Sequence, residues 1–228
     1  MTDRTKTSLT RTLFTLIFTA LMCLSCFFSL QLTEQIPVTL QNFFCILAGL
    51  ILGGTQGSGA TGLFLILGAL GLPVFAGVRG GWEVFTGATG GYLWGYFPAS
   101  LVSGIIAGTP HVFEKNFDIK TWIRIALASL AGFAIVYLVG IPWFIHYMKE
   151  SGRTYSLSQA MGIGFAPFIS FDIFKIILSV PLAALLRPLA AKHLYPDDEK
   201  ELEELMEGLK KRKKFMDRIT GKSKRSKK

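Results

Sequence analysis

Residues 163–186 read IGFAPFISFDIFKIILSVPLAALL, an apolar run with two charges, Asp172 and Lys175, near its middle. About 20 apolar residues in an α-helix cross the hydrocarbon layer of a bilayer, so the run predicts a membrane span. A charge at the centre of a span costs roughly 2.5–3.5 kcal/mol, and neither side chain is therefore expected to face lipid. Residues three apart share one helix face. We expect the two charges either to pair as structural glue or to face a polar cavity that takes a ligand.

The composition of the whole chain is that of an integral membrane protein. Of its 228 residues, 50% are hydrophobic and 17% are charged, whereas soluble domains usually carry about 25% charged residues. Half of the 24 Lys and Arg and more than half of the 15 Asp and Glu follow Tyr195. This pattern excludes a soluble enzyme with a solvated surface, and it excludes disorder for all but the tail.

Six apolar segments predict an all-α membrane protein with six transmembrane helices. No segment alternates polar and apolar residues as a membrane barrel does, so strands are not expected. The short second and third segments are separated by a glycine-rich stretch and predict a tight helical hairpin. The segments cover roughly 12–32, 38–54, 58–76, 89–109, 120–147 and 158–190.

The distribution of basic residues predicts the orientation of these spans. Residues 1–10 form an N-terminal segment, 11–195 the membrane domain and 196–228 a charged tail, acidic and then basic, expected to be an amphipathic helix with a solvated end. With both termini in the cytoplasm, the outside loops carry only Arg79, Lys149 and Arg153. The inside then holds the basic tail and Arg4, Lys6, Arg11, Lys115, Lys120, Arg124, Arg187 and Lys192.

Two further groups of residues are candidates for ligand contact. The glycine-rich loop 73–88 keeps Phe75, Trp82 and Phe85, aromatic side chains that favour an ordered, extracellular lid over a solvated linker. Arg79 in that loop can grip a carboxylate through two parallel hydrogen bonds. Pro37 and Thr39 suit the start of a helix, and Thr39 and Gln41 offer neutral hydrogen bonds near the same surface.

Common catalytic and cofactor motifs are absent from the sequence. There is no G-x-x-x-x-G-K-[ST], H-E-x-x-H or G-x-S-x-G, and the three histidines suggest no metal site. Cys23 and Cys26 lie in an apolar helical run, where packing is the expected role. Thr15, Thr19 and Cys23 form a small-residue stripe on the first helix that packs either inside the protein or against a partner subunit.

Four stretches together resemble the BioY family, the biotin-binding membrane subunits (S components) of energy-coupling factor (ECF) transporters. They are IPVTLQ at 36–41, GALGLPVFAG at 68–77, TGGYL at 89–93 and D-x-x-K at 172–175. The resemblance runs from about residue 11 to 190, in matching order and spacing. Ala88 and Ser170–Phe171 depart from the family pattern, and the charged tail lies outside the family core.

The resemblance implies a six-helix bundle in a bacterial cell membrane and a lidded outer pocket for biotin. It also implies a coupling membrane subunit and two ATP-binding subunits as partners, with no cofactor and no catalysis in this chain. The partner contact expected on the first helix falls on Thr15, Thr19 and Ala20. The ligand-binding residues are expected to be Thr39, Gln41, Phe75, Arg79, Gly91, Tyr92, Trp143, Asp172 and Lys175.

The chemistry of biotin suits these residues, but the sequence leaves the pose open. Asp172 can accept a ureido N–H and Lys175 can donate to the ureido carbonyl, or Lys175 can hold the carboxylate instead, for which Arg79 is the other candidate. Phe75, Tyr92 and Trp143 would enclose the apolar body. Three alternatives remain: an S component for a different vitamin, a membrane enzyme using Asp172 and Lys175 for proton transfer, and a scaffold whose basic tail binds anionic lipid.

Overall fold

A computed structural model describes residues 3–31, 36–111, 118–195, 204 and 206–213. Lys115, most of the 196–228 tail and the side chains of Arg4 and Lys6 lie outside the described residues, so the expectations for them stay predictions. Residues up to Leu194 form one compact unit and those from Tyr195 a second one. In the second unit, residues 206–213 are helical.

The first unit contains eight α-helices and one two-stranded sheet among the described residues. The chain order is α1 (Asp3–Leu24), a 3-10 turn (Ser25–Phe27), β1 (Ser29–Gln31), β2 (Pro37–Thr39), α2 (Gln41–Leu52), α3 (Gly54–Ala69), α4 (Trp82–Phe85), α5 (Gly90–Ala107), α6 (Ile119–Glu150), α7 (Leu157–Gly164) and α8 (Ile169–Leu194). Helices α1, α2, α3, α5, α6 and α8 occupy the places of the six predicted spans.

Three described helical stretches are long and apolar enough to cross a membrane alone: Ser8–Phe27, Ile119–Glu150 and Ile169–Leu194. Helix α2 has 12 residues and α3 has 16, or about 18 and 24 Å at 1.5 Å per residue. Only Gly53, with a φ of 87°, separates them, which confirms the predicted tight hairpin. Large apolar side chains are exposed on the outer faces of α6 and α8, such as Leu138 (72%) and Phe174 (66%), as lipid-facing helices require.

Two details of the span prediction are wrong. Residues 29–31 and 37–39 pair as antiparallel strands, with Leu30 opposite Val38, so Pro37 and Thr39 belong to β2 and do not start the helix, which begins at Gln41. The predicted segment 158–190 is two helices, because α7 ends at Gly164 and the chain turns before α8 begins at Ile169.

The glycines allow α2, α3 and α5 to approach closely. A Cβ on Gly49 of α2 would lie 2.1 Å from the Ser100 carbonyl oxygen of α5. A Cβ on Gly104 would lie 2.4 Å from the Gly54 Cα of α3. Any side chain at these two positions would push the backbones apart.

One end of the first unit is closed by a buried arginine. Arg187 on α8 is 0% exposed. Its guanidinium donates to Leu50 O near the end of α2, and to Ala107 O and Gly108 O at the end of α5, the last two at 3.0 Å. A cation at helix C-termini pairs carbonyls that have no partner within their own helix. The sequence grouped Arg187 with the inside charges and missed this role.

Candidate functional site

The other end of the unit holds a buried ion pair at the start of α8. Asp172 and Lys175 are 4% and 5% exposed, and Lys175 Nζ lies 2.9 Å from Asp172 Oδ1. The two charges do pair with each other, as one of the two expectations had it. Both side chains also line a cavity, so the second expectation holds as far as the position of the charges is concerned, and the ligand stays a prediction.

Lys175 uses all of its hydrogen-bonding capacity within the protein. Its ammonium donates to Thr39 O at 2.8 Å, to Asn42 Oδ1 at 3.0 Å and to Asp172 Oδ1. An ammonium has three N–H donors and no acceptor. A ligand that bonds to Lys175 must therefore replace one of these three acceptors.

Asp172 accepts hydrogen bonds from three side chains. Lys175 and Asn42 Nδ2, the latter at 3.2 Å, reach Oδ1, while the Tyr137 hydroxyl donates to Oδ2. A carboxylate offers about four lone-pair sites, so one site on Oδ2 remains for a ligand N–H. Sequence reasoning missed Asn42 and Tyr137. The signal for Tyr137 was a hydroxyl in the middle of the apolar α6, where a buried polar group requires a partner.

The cavity lies between β2, the loop after α3, and helices α2, α5, α6, α7 and α8. Apolar side chains dominate its wall, among them Phe75, Leu93, Val136 and Phe168, and the polar groups cluster at the α8 side. Of the predicted ligand-binding residues, the structure brings seven to this cavity: Thr39, Gln41, Phe75, Arg79, Tyr92, Asp172 and Lys175.

Gly91 and Trp143 are not among the residues that line the cavity, and their predicted contact with the ligand stays a prediction. A Cβ on Gly91 would lie 2.2 Å from the Cβ of Trp143, and the two residues therefore pack against each other between α5 and α6. The Trp143 indole Nε1 donates to Gly87 O at 2.9 Å. Trp143 thus fixes the end of the loop that covers the cavity.

The 73–88 loop is an ordered cover, as its aromatic residues indicated. Phe75 is 0% exposed and packs edge-on to Phe64 and stacked on Phe85. A Cβ on Gly68 would lie 2.2 Å from the Phe75 ring, so that glycine provides the slot for the ring. Arg79 is exposed at the same loop and donates from Nε to Ala76 O at 3.2 Å.

Tyr92 is held in the cavity wall by two glycines. Its hydroxyl donates to Gly164 O at 3.1 Å. A Cβ on Gly140 would lie 2.4 Å from the Tyr92 ring, and one on Gly164 would lie 2.3 Å from its hydroxyl oxygen. Tyr92 therefore occupies space that exists only because both positions lack side chains.

The small-residue stripe on α1 packs mainly inside the protein. Thr19 is 4% exposed and donates to Ala60 O of α3 at 3.0 Å. Thr15 lies 3.3 Å from Gln56 Nε2, also on α3. Of the three residues predicted to dock a partner, Thr19 is buried, Thr15 is half-buried and Ala20 is exposed, and the docking itself stays a prediction. Ala20 lies among the exposed apolar residues Leu9, Leu13, Leu16, Ile17 and Leu24.

The site has the chemistry of binding. Within the described part of the chain, no group of three or more His, Cys, Asp or Glu side chains is placed to hold a metal ion. Cys23 and Cys26 are free thiols. The cavity instead offers acceptors and a few donors around an apolar interior, which suits a small molecule with a polar head.

Comparisons with known proteins point to one family. The BioY family model matches residues 1–192. The biotin transporter BioY of Thermotoga maritima is 36% identical over 173 residues, covering 76% of this chain and 93% of the relative. BioY of Rhodobacter capsulatus is 36% identical over 149 residues, 63% of this chain and 75% of the relative. The crystal structure of the S-component for biotin from an ECF-type ABC transporter superposes with a TM-score of 0.68 at 26% identity, covering 82% of this chain and 94% of that one.

Proposed function

Because the chain belongs to the BioY family, we propose that it is the biotin-binding membrane subunit of an ECF-type importer. It captures biotin in the cavity at the loop-covered end and delivers it across the membrane. The chain is a transport subunit and not an enzyme, and biotin is bound without a covalent step or a cofactor.

The observation that carries this proposal is the buried Asp172–Lys175 network in the wall of an apolar cavity. The bicyclic head of biotin has two ureido N–H donors and one carbonyl acceptor. Asp172 Oδ2 has a site for one N–H. The carbonyl takes the second hydrogen of Asn42 Nδ2, or replaces one acceptor of Lys175.

The two ends of biotin are matched by the two ends of the cavity. Phe75, Tyr92 and Val136 surround the apolar thiophane ring and valeryl chain. Arg79 is exposed at the cavity edge, and it pairs with the carboxylate, which keeps that charge near water. Lys175 is too deeply buried and too fully bonded to be the better carboxylate partner.

Charge and exposure support the proposed orientation, and membership of the family supports the proposed partners. Both termini are cytoplasmic, the loop-covered cavity opens to the outside, and the chain lies in the bacterial plasma membrane. A coupling membrane subunit contacts the exposed apolar face of α1 around Ala20, and two ATP-binding subunits drive release of biotin inward.

Calorimetry of the purified chain in detergent tests the binding proposal. We expect tight binding of biotin by the natural sequence and by Lys192→Met, a control on the exposed face of α8 at the opposite end. Asp172→Asn should bind at least about 30-fold more weakly, since the carboxamide has fewer acceptor sites and one buried charge is left alone. If a folded sample does not bind biotin, the assignment of biotin as the ligand is wrong and another vitamin becomes the candidate.

Uptake by sealed vesicles tests the coupling. Vesicles that hold this chain with the coupling and ATP-binding subunits should accumulate biotin only when ATP is supplied. Accumulation against a gradient without ATP would contradict the proposed mechanism, while leaving the binding result intact.

A further inference from the structure

The Gln41 amide has one paired end and one unpaired end. Gln41 is the first residue of α2, is 0% exposed and lines the cavity. Its Nε2 donates to the Val74 carbonyl oxygen at 2.6 Å. Because a carbonyl oxygen only accepts, this bond fixes which end of the amide is nitrogen. Oε1 is buried, and no donor from the described part of the chain reaches it.

A buried amide oxygen without a donor is unfavourable and is uncommon in folded proteins. The polar groups around it are otherwise well paired. The Lys175 ammonium donates hydrogen bonds to three acceptors, and the Asp172 carboxylate accepts hydrogen bonds from three donors. Among the described residues that line this cavity, Gln41 therefore carries the buried acceptor, Oε1, that no protein donor reaches.

We infer that Gln41 Oε1 accepts a hydrogen bond from one ureido N–H of the ligand and is a specificity-determining residue, an inference that rests on the proposed biotin function. Asp172 Oδ2 takes the other N–H, so the two ring nitrogens are recognised by two different side chains. A carboxylate carries only acceptors and is disfavoured at Oε1. Gln41 thus directs the ureido head, and not the valeryl end, toward α2.

The same amide connects the ligand to the covering loop. Val74 belongs to the segment that carries Phe75 and Arg79, and the Nε2 bond holds it to α2. A ligand N–H on Oε1 restrains the amide at its second end. Recognition of the head and placement of the loop therefore share one side chain.

Two carbamate analogues of biotin, each with one ring N–H replaced by an oxygen atom, test the inference. The replacement keeps the size of the ring and turns a donor into an acceptor. Sites built to bond an N–H reject such analogues strongly. We expect both analogues to bind the natural sequence at least about 30-fold more weakly than biotin.

The variant Gln41→Met shows which of the two carbamates loses affinity because its missing N–H can no longer bond to Gln41. It has nearly the size of glutamine and offers no amide oxygen. We expect it to bind biotin about 10-fold more weakly and to relieve the penalty for one carbamate, to under about 5-fold, while the other keeps its full penalty. Gln56→Met is the matched control, because Gln56 lies on α3 and bonds to Arg11 O.

Two outcomes separate this inference from the proposed function. If the natural sequence binds biotin tightly but Gln41→Met leaves both carbamate penalties unchanged, the inference is overturned and the function stands. If folded natural protein does not bind biotin, the function itself fails. Should Gln41→Met unfold, Gln41→Leu gives the same comparison: it also lacks an amide oxygen, so relief of one carbamate penalty supports the inference and two unchanged penalties overturn it.

Discussion

Lys175→Met should destabilise the protein strongly, and most of that loss should be recovered when Asp172 is changed as well. The substitution keeps an unbranched side chain, one atom shorter than lysine, and removes its charge. Asp172, only 4% exposed, is then left as an uncompensated carboxylate. Removing one partner of a buried ion pair typically costs about 3–5 kcal/mol.

The structure places the expected value near the lower end of that range. Asn42 Nδ2 and the Tyr137 hydroxyl still donate to Asp172 in the variant, which reduces the penalty for the lone charge. We therefore expect a loss of about 3 kcal/mol in the free energy of unfolding. That is a large share of a typical total stability of roughly 5–15 kcal/mol.

The double variant Asp172→Asn with Lys175→Met removes both charges. The new carboxamide oxygen accepts from the Tyr137 hydroxyl in place of Oδ2, and no buried charge remains at either position. Replacing a whole buried pair by neutral groups is often close to neutral. We expect the double variant to lie within about 1 kcal/mol of the natural protein, yet to bind biotin no better than the single one.

Reversible unfolding by SDS titration in mixed micelles, followed by tryptophan fluorescence, measures these differences. Lys192→Met is the control for loss of an ammonium group from α8. The reasoning would be refuted if Lys175→Met cost less than about 1 kcal/mol, or if the double variant were as unstable as the single one. Either result would mean that the pair is not the coupled unit described here.

Three other predictions concern the rest of the bundle. Gly164→Ala should weaken biotin binding about 10-fold by displacing Tyr92, whereas Gly162→Ala on the same helix, with open space around it, should not; calorimetry checks both. Phe75→Ala should lose about 3 kcal/mol of stability and speed hydrogen exchange in the covering loop, with Phe97→Ala, a partly exposed residue, as control. Arg187→Met should lower the free energy of unfolding by about 3 kcal/mol without changing the biotin affinity of the folded protein, since it lies at the end away from the cavity.

The sequence located the centre of the site because charges in an apolar run are conspicuous. Asp172 and Lys175 stand out against the cost of inserting them, and the neighbouring helices were recognisable from apolar length. The aromatic residues of the 73–88 loop likewise predicted an ordered cover. These features are local, so a single stretch of chain is enough to show them.

The partners of those residues depend on contacts between distant segments. Asn42 and Tyr137 lie 130 and 35 residues from Asp172, and nothing near either residue specifies that contact. Gly91 and Trp143 pack against each other between α5 and α6, a contact between distant segments that no local pattern indicates. Thr19 on α1 also faces the protein interior, because α1 packs against α3 and the Thr19 hydroxyl donates to Ala60 O on that helix.

Secondary structure was missed where the chain changes type within a few residues. The segment 158–190 is apolar throughout, and only the Gly-Phe-Ala-Pro stretch at 164–167 marks the turn between α7 and α8. Strands β1 and β2 have three residues each, too few for an alternating pattern to be visible.

The contacts of Arg187 with the ends of α2 and α5 can form only after α8 has been synthesised. The carbonyls that Arg187 pairs come from α2 and α5, 137 and 80 residues earlier in the chain. A nascent chain places those helices in the membrane long before the translating ribosome reaches α8, and in lipid an unpaired carbonyl has no water to turn to. The earlier helices must therefore keep these groups near the aqueous surface or pair them temporarily until the last helix arrives. The bundle is therefore complete only when α8 supplies Arg187. Chains truncated before residue 187 should be degraded faster in the membrane than the full chain.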